Sequence, residues 1–317
     1  MYEVKFLEYR EGNTMILILG ANGFIGYNLV KRFAVKKKIR IFDKVWDNEI
    51  DNTNVEVVTG DFRNVCFEEM LEEVDTVFHF ISSSVPFDGT DKIIDDVQAN
   101  LLPTLRLLDA MKKRMVRKII FISSGGTVYG ECKKPALERD RLSPECIYAA
   151  QKVGIEICLH LYEKYDGIQG YILRVGNPYG FTINKKRNQG IIPIFTEKIV
   201  AGETIELWGN GENKRDYIYI GEVIDAIEAV YLYNGKYRIF NIGTGKNCST
   251  KEIIKKIEKE VGKKAKINYL ERRKCDLAES CMDVSLIYKE CGWKSKITVD
   301  QGIRQYIREI MSNDTDT

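Results

Sequence analysis

A tyrosine and a lysine stand four residues apart in Tyr148-Ala149-Ala150-Gln151-Lys152, on a helical pattern that puts both side chains on one face, a turn apart. A phenol with its ordinary pKa of about 10 is a poor proton acceptor at neutral pH, but a neighbouring ammonium stabilises the phenolate. The spacing therefore predicts Tyr148 as a general base whose pKa Lys152 lowers. Ser123-Ser124-Gly125-Gly126-Thr127-Val128-Tyr129-Gly130 follows an apolar strand pattern ending at Ile122, so its hydroxyls emerge at the carboxyl edge of a sheet, where open α/β sheets bind ligands. Ser124 and Thr127 are the candidates to share a proton moving between a substrate oxygen and Tyr148. Alone, the first pattern describes a surface pair on many helices and the second a loop that ends a strand.

What lies upstream gives both patterns their weight. Gly20-Ala21-Asn22-Gly23-Phe24-Ile25-Gly26 directly follows the strand pattern Met15–Leu19 and opens a helical pattern at 27–35, the context a phosphate-binding turn demands. Gly20 permits the tight turn, Gly23 lets backbone approach a pyrophosphate, and Gly26 lets the helix pack close, so an anion meets the helix's amino-terminal amides. Asp43 ends the next strand, where a carboxylate accepts from the adenosine ribose hydroxyls and repels a 2′-phosphate; NAD is expected rather than NADP. Gly60-Asp61-Phe62, after the third strand, would set Asp61 on the adenine amino group and Phe62 near the ring. Phe24 and Ile25 in the turn, with Phe80 and Ser123 at neighbouring strand ends, are assigned to the same site. Lys152 would also hold the nicotinamide ribose.

The elements needed to position these residues are legible as short apolar runs alternating with longer helical patterns. Strands are expected at 15–19, 39–42, 55–58, 76–80, 118–122 and 169–173. That alternation implies a Rossmann-type, doubly wound parallel sheet covered on both faces by helices. After Gly180 the rhythm is lost in a polar run at 182–188, a helical pattern at 193–201 and a turn-rich 208–214. A smaller, mixed α/β substrate-binding domain is expected over 181–215 and 246–312. The chain would return to the 15–180 domain at about 216–245, with strands at 217–219 and 240–242. Residues 1–14 read as an extension outside the nucleotide-binding unit.

Composition removes several classes of function. Of 317 residues, 48 are basic and 46 acidic, a net charge of +2, so no overall field favours nucleic acid or an anionic membrane. Eight cysteines without a Cys-x-x-Cys pair and only two histidines, His79 and His160, indicate neither a metal site nor a disulfide framework nor a Ser-His-Asp hydrolase. With no signal pattern and no apolar run near the 18 or so residues needed to span a bilayer, a cytoplasmic protein is expected.

Taken together, the glycine turn, the Ser123–Gly130 segment and the Tyr148/Lys152 pair resemble the extended short-chain dehydrogenase/reductases, particularly the nucleotide-sugar epimerase/dehydratase family to which UDP-glucose 4-epimerase belongs. The resemblance runs from Met15 to about Met311. It departs at Gly125, because the family's catalytic hydroxyl usually stands four residues before the tyrosine of the Val-Tyr-Gly triplet. The resemblance implies that Asn177, in Arg174-Val175-Gly176-Asn177-Pro178-Tyr179-Gly180, contacts the diphosphate of the substrate. It brings Arg215, ahead of Asp216-Tyr217, and Arg273, in Arg273-Lys274-Cys275-Asp276, to the phosphates, and Asp276 to the substrate ribose.

The activity it implies is 4-epimerisation of a nucleotide sugar, a UDP-hexose above all. Tyr148 would deprotonate the 4-hydroxyl as hydride leaves carbon 4 for NAD, and the hydride would return to the other face of the turned sugar. A 4,6-dehydratase would need an Asp-Glu pair where this chain has Gly126 and Thr127. A reductase of the same family and a non-catalytic dinucleotide-sensing module are the further alternatives. Helices near 93–112 and 148–165 resemble those that pair subunits in the family and imply a homodimer.

Overall fold

The apolar runs form one parallel sheet. Its strands are β1 (Met15–Leu19), β2 (Lys38–Asp43), β3 (Val55–Thr59), β4 (Val74–His79), β5 (Lys118–Ser124) and β6 (Gln169–Val175). Four strands outside it follow: β7 (Asn177–Tyr179), β8 (Thr204–Trp208), β9 (Lys214–Arg215) and β10 (Tyr217–Tyr219). The chain then rejoins the sheet as β11 (Ile239–Ile242). The spatial order is β3-β2-β1-β4-β5-β6-β11, every neighbouring pair parallel. This is a Rossmann-type doubly wound sheet whose order reverses between β1 and β4, so a crevice opens outside their carboxyl ends. The computed structural model describes residues 15–48, 50, 53–84, 92–181, 190–273 and 276–313. The extension at 1–14, the polar run at 182–188, and Lys274 and Cys275 lie outside the described residues.

Both faces of the sheet are covered, which is why its strands are apolar runs rather than alternating ones. In β1, Ile16 and Ile18 join the cluster formed with α1 (Phe24–Phe33) and the later helix 220–232, while Leu17 and Leu19 join the cluster on the opposite face. That second cluster is supplied by α2 (Phe67–Met70), α4 (Leu102–Arg114), which follows α3 (Ile93–Asp96), and α5 (Ile147–Asp166). Each aliphatic side chain buried this way contributes about 1.5–3 kcal/mol.

The remaining helices are α6 (Ile191–Ala201), α7 (Ile220–Leu232), α8 (Thr250–Val261), α9 (Ser285–Cys291) and α10 (Val299–Asn313). Outside the main sheet the strands are short. The pairs are β7 with β10 and β8 with β13 (Lys266–Leu270), and β9 lies between β12 (Cys248–Ser249) and β14 (Glu279–Ser280). A capping box starts α8, Ser249 accepting from the Glu252 amide and Glu252 accepting from the Ser249 amide. No helix among the described residues is long and apolar enough to cross a membrane.

Two departures from the expected elements bear on the site. Strand β5 runs past Ile122 to Ser124 because β6 continues beside it, pairing Ser123 with Arg174 and Ser124 with Val175. The two serines are thus strand residues facing opposite sides of the sheet, not loop residues. The expected single helix over 93–112 is α3 and α4 joined by a π-helical stretch, Val97–Leu101. Pro103 has no N–H to give to the carbonyl four residues back, which accounts for the widened turn there.

Candidate active site

The glycine turn sits at the sheet's crevice. Gly20 has a φ of +83°, and a Cβ there would stand 2.9 Å from the Phe80 carbonyl carbon and the Ile81 nitrogen, so both conformation and space require glycine. A Cβ on Gly26 would come within 2.1 Å of the Gly20 oxygen; this is the close packing of α1 on β1. Gly23 caps α1 without a side-chain hydrogen bond, and the first turn, with Phe24 and Ile25, carries no acid. Those amides have no intrahelical acceptor and suit an anion. Asp43 accepts from the Asn22 amide at 2.9 Å and from the Lys44 amide at 2.7 Å, which holds its carboxylate beside the turn. Asn22, to which its sequence pattern assigned no role, is 2% exposed, and its Nδ2 has no partner among the described residues. A buried donor at the centre of the turn fits a dinucleotide that brings an acceptor.

Three assignments to this end change. Phe62 is 6% exposed and packs against Phe67 and His79, so its ring belongs to the core rather than to an adenine pocket. The Asp61 carboxylate is taken by Arg63, whose hydrogen bonds and charge pull it down to about 2. The Ser123 hydroxyl donates to Glu156 Oε1 at 2.5 Å on the face of the sheet away from Ser124, so its proton is committed, and the residue is buried. Phe80, half-buried, follows β4 with its amide on the Leu19 carbonyl at 2.9 Å, against Gly20.

At the end of β5 the catalytic candidates meet. Ser124 lies close enough to the Tyr148 phenol to ease its ionisation, and Lys152 Nζ donates to the Ile122 carbonyl at 2.9 Å while lying 5.6 Å from the Tyr148 ring centre. Thr127 Oγ1 is buried without a partner among the described residues, so of the two hydroxyl candidates Ser124 is the one that acts on the tyrosine. Position 125 has no room for a hydroxyl-bearing side chain: a Cβ there would overlap Met282 Sδ at 1.9 Å and approach the Arg174 carbonyl at 2.9 Å. Met282, 1% exposed, fills that space instead.

The electrostatics depart from the expectation that Lys152 lowers the tyrosine. Burial pushes Tyr148 up to about 12, with the nearby Ser124 hydroxyl pulling the other way. Burial also pulls Lys152 down to about 8, Glu156 opposing. The ammonium is aimed at a strand carbonyl rather than at the phenol oxygen, so desolvation decides both values. The protein by itself keeps the proton on Tyr148 at neutral pH and leaves Lys152 an ammonium that is lost at about pH 8.

Beyond β6, Asn177 begins β7, and its Oδ1 lies 3.0 Å from where a Gly126 Cβ would stand, so it borders the catalytic loop. Half-buried Arg215 is lowered by desolvation, with Tyr217 and Asp276 opposing and Arg272 adding to it. Its neighbour Asp216 is buried and accepts from the Thr244 and Gly245 amides, a clamp that fixes the turn between β11 and β12. Asp276 lines a groove of about 170 Å³ with Trp208, Asn210 and Arg272. Arg273, in contrast, lies with its guanidinium 4.0 Å from the Trp208 ring centre. Arg272, passed over in the sequence, is thus the arginine that lines the groove. Both arginines precede Asp276, and nothing in their spacing separates them.

The arrangement can bind an anion at α1, move a proton through Ser124 and Tyr148, and hold polar or phosphorylated groups near Arg215 and Asp276. Known proteins resemble the chain in sequence and in fold. A family model described as NAD-dependent epimerase/dehydratase matches residues 16–243. The dTDP-4-dehydro-6-deoxyglucose reductase of Escherichia coli is 34% identical over 237 residues, 75% of each chain. The UDP-glucose 4-epimerase of Mycolicibacterium smegmatis is 29% identical over 302 residues, 92% of this chain and 96% of that one. The crystal structure of the Thermus thermophilus UDP-glucose 4-epimerase in complex with NAD matches with a TM-score of 0.86 and 28% identity, covering 94% of this chain and 99% of that one. This chain belongs to the NAD-dependent epimerase/dehydratase family.

Proposed function

We propose that the protein is a nucleotide-sugar 4-epimerase acting on UDP-hexoses, of the UDP-glucose/UDP-galactose type. The observation that carries this reading is the meeting of Ser124, Tyr148 and Lys152 at the end of β5, with Gly126 and Thr127 where elimination of water would need two carboxylates. Tyr148 accepts the proton of the sugar 4-hydroxyl, Ser124 sharing it, and gives it back to the 4-keto oxygen once the sugar has turned. Bound NAD supplies the hydride acceptor for carbon 4 and a cationic ring that favours the phenolate. The glycine turn with Asp43 holds the dinucleotide, and Lys152 its ribose. Asn177, Arg215 and Arg272 take the substrate diphosphate, and Asp276 takes the substrate ribose. On this reading 15–180 with 216–245 is the cofactor half, and 181–215 with 246–312 the sugar half.

Purified protein given UDP-glucose or UDP-N-acetylglucosamine without added cofactor, followed by proton NMR, is expected to yield the galacto-epimer of at least one. A 4-keto-6-deoxy product, or no conversion even after NAD is added, would sink the reading. A nucleotide-sugar reductase is the second reading, favoured by the likeness to the Escherichia coli reductase. It requires reduced cofactor in stoichiometric amounts, which the same assay detects.

A homodimer is part of the proposal. Ile157, Leu161 and Tyr165 form an exposed apolar stripe at four-residue spacing on α5, and Ile93, Ile94 and Leu102 are exposed on α3 and α4. Sedimentation at twice the chain mass, lost in Ile157→Asp, is expected; a monomeric wild type refutes it. We also place the protein in the cytoplasm, which suits its free thiols; fractionation of the source cells tests that.

A further inference from the structure

Two consecutive residues of β5 each hold one residue of α5. The Ile122 carbonyl accepts from Lys152, and the Ser123 hydroxyl donates to Glu156. Tyr148, Lys152 and Glu156 follow one another at four-residue spacing, on one face of the helix. Glu156 is itself anchored. Arg174 of β6 donates from Nη2 to Oε2 at 2.6 Å and from Nε to both oxygens at 3.2 Å, and spends Nη1 on the Tyr129 hydroxyl and the Glu138 carbonyl. Both members of the ion pair are almost wholly buried, at 3% and 4% side-chain exposure. Such a pair is a poor device for stability, because desolvation offsets its attraction and apolar side chains of the same volume often do as well. Its location, one turn beyond the catalytic lysine, points to another purpose.

We propose that Glu156 is a positioning residue for the Tyr148–Lys152 pair: anchored by Arg174, it locks α5 onto β5 through Ser123 and provides the counter-charge to Lys152. The proposal rests on the acid–base roles given to that pair above. The groups facing Lys152 are Tyr148 and Glu156 from its own helix, the Ile122 carbonyl and Phe121 ring from β5, and His79 from β4. Asp96 is the buried carboxyl on the α3 side. Burial pulls His79 down to about 3, so it stays neutral and adds no like charge beside the lysine. Glu156 is the carboxylate that raises Lys152 against its burial.

The charge is read by an NMR titration of protein labelled at the lysine ε-carbon, with the Lys152 signal identified by its loss in Lys152→Met. Glu156→Gln is expected to lower the Lys152 pKa by about one unit or more. The ammonium is then lost at lower pH, and the alkaline fall of kcat moves the same way with KM unchanged. An unaltered titration in the folded variant overturns the counter-charge. Ser123→Ala keeps both charges and removes only the lock; kcat is expected to fall about tenfold with KM and the Lys152 titration unchanged. An unchanged kcat overturns the positioning role. If glutamine at 156 prevents folding, Ser123→Ala decides alone. The titration uses no substrate, so its outcome is separate from whether the turnover assay yields a 4-epimer.

Discussion

The crevice edge of the main sheet and the groove beyond β8 are built from different materials. At the sheet edge the chemistry is held by backbone and buried side chains: the Gly20–Gly26 turn, Ser124 on a paired strand, and Lys152 tied to a strand carbonyl. In the groove, Arg272 is exposed, Trp208 is 39% exposed, and the adjoining strands β9 and β14 are two residues long. The sheet edge is preorganised and intolerant of added atoms or lost hydrogen bonds. The groove relies on long side chains in contact with water, which adapt to a ligand and are screened by salt.

This contrast ranks the effects of substitution. Tyr148→Phe removes one oxygen from the sheet edge and is expected to lower kcat about 1,000-fold with the fold intact, read by turnover and circular dichroism. Turnover within a few-fold of wild type would mean that the edge is not where the proton moves. Gly26→Ala places a methyl group against the Gly20 oxygen, backbone on backbone, and is expected to destabilise the protein by about 1–3 kcal/mol in urea melts and to empty it of NAD. A neutral result would show the turn to be as forgiving as the groove. Arg272→Ala, on the exposed side, is expected to raise KM about tenfold with kcat nearly unchanged, by an amount that shrinks as salt is added. A large kcat effect insensitive to salt would erase the distinction between the two regions.

The parts legible in the sequence were those whose geometry is local. Glycines at 20, 23 and 26 between a strand pattern and a helix pattern define the turn, and Tyr148 and Lys152 share a helix face whatever packs against it. Phe62 was misplaced because an aromatic after a strand can turn to a ligand or to the core; here Phe67 and His79 draw it inward. Ser123 was misassigned because the facing of adjacent serines depends on whether the strand continues, and that depends on β6 as its partner. The Glu156–Arg174 pair joins residues from a helix and a strand. Its one local signal was an acid four residues after Lys152 in an otherwise buried stripe.

The sequence by itself determined the class of sheet, the glycine turn, NAD as the cofactor and the shared helix face of Tyr148 and Lys152, because periodicity of 2 or 3.6 residues and glycine's freedom act within a few residues of chain. Tertiary structure decided which hydroxyl meets Tyr148, since Met282, 157 residues further along than Gly125, fills the room a side chain there would need. It also decided that Arg272 rather than Arg273 lines the groove, and that burial sets the proton affinities of Tyr148 and Lys152. Steric exclusion and desolvation belong to the space around an atom, and that space is filled by residues distant in the chain.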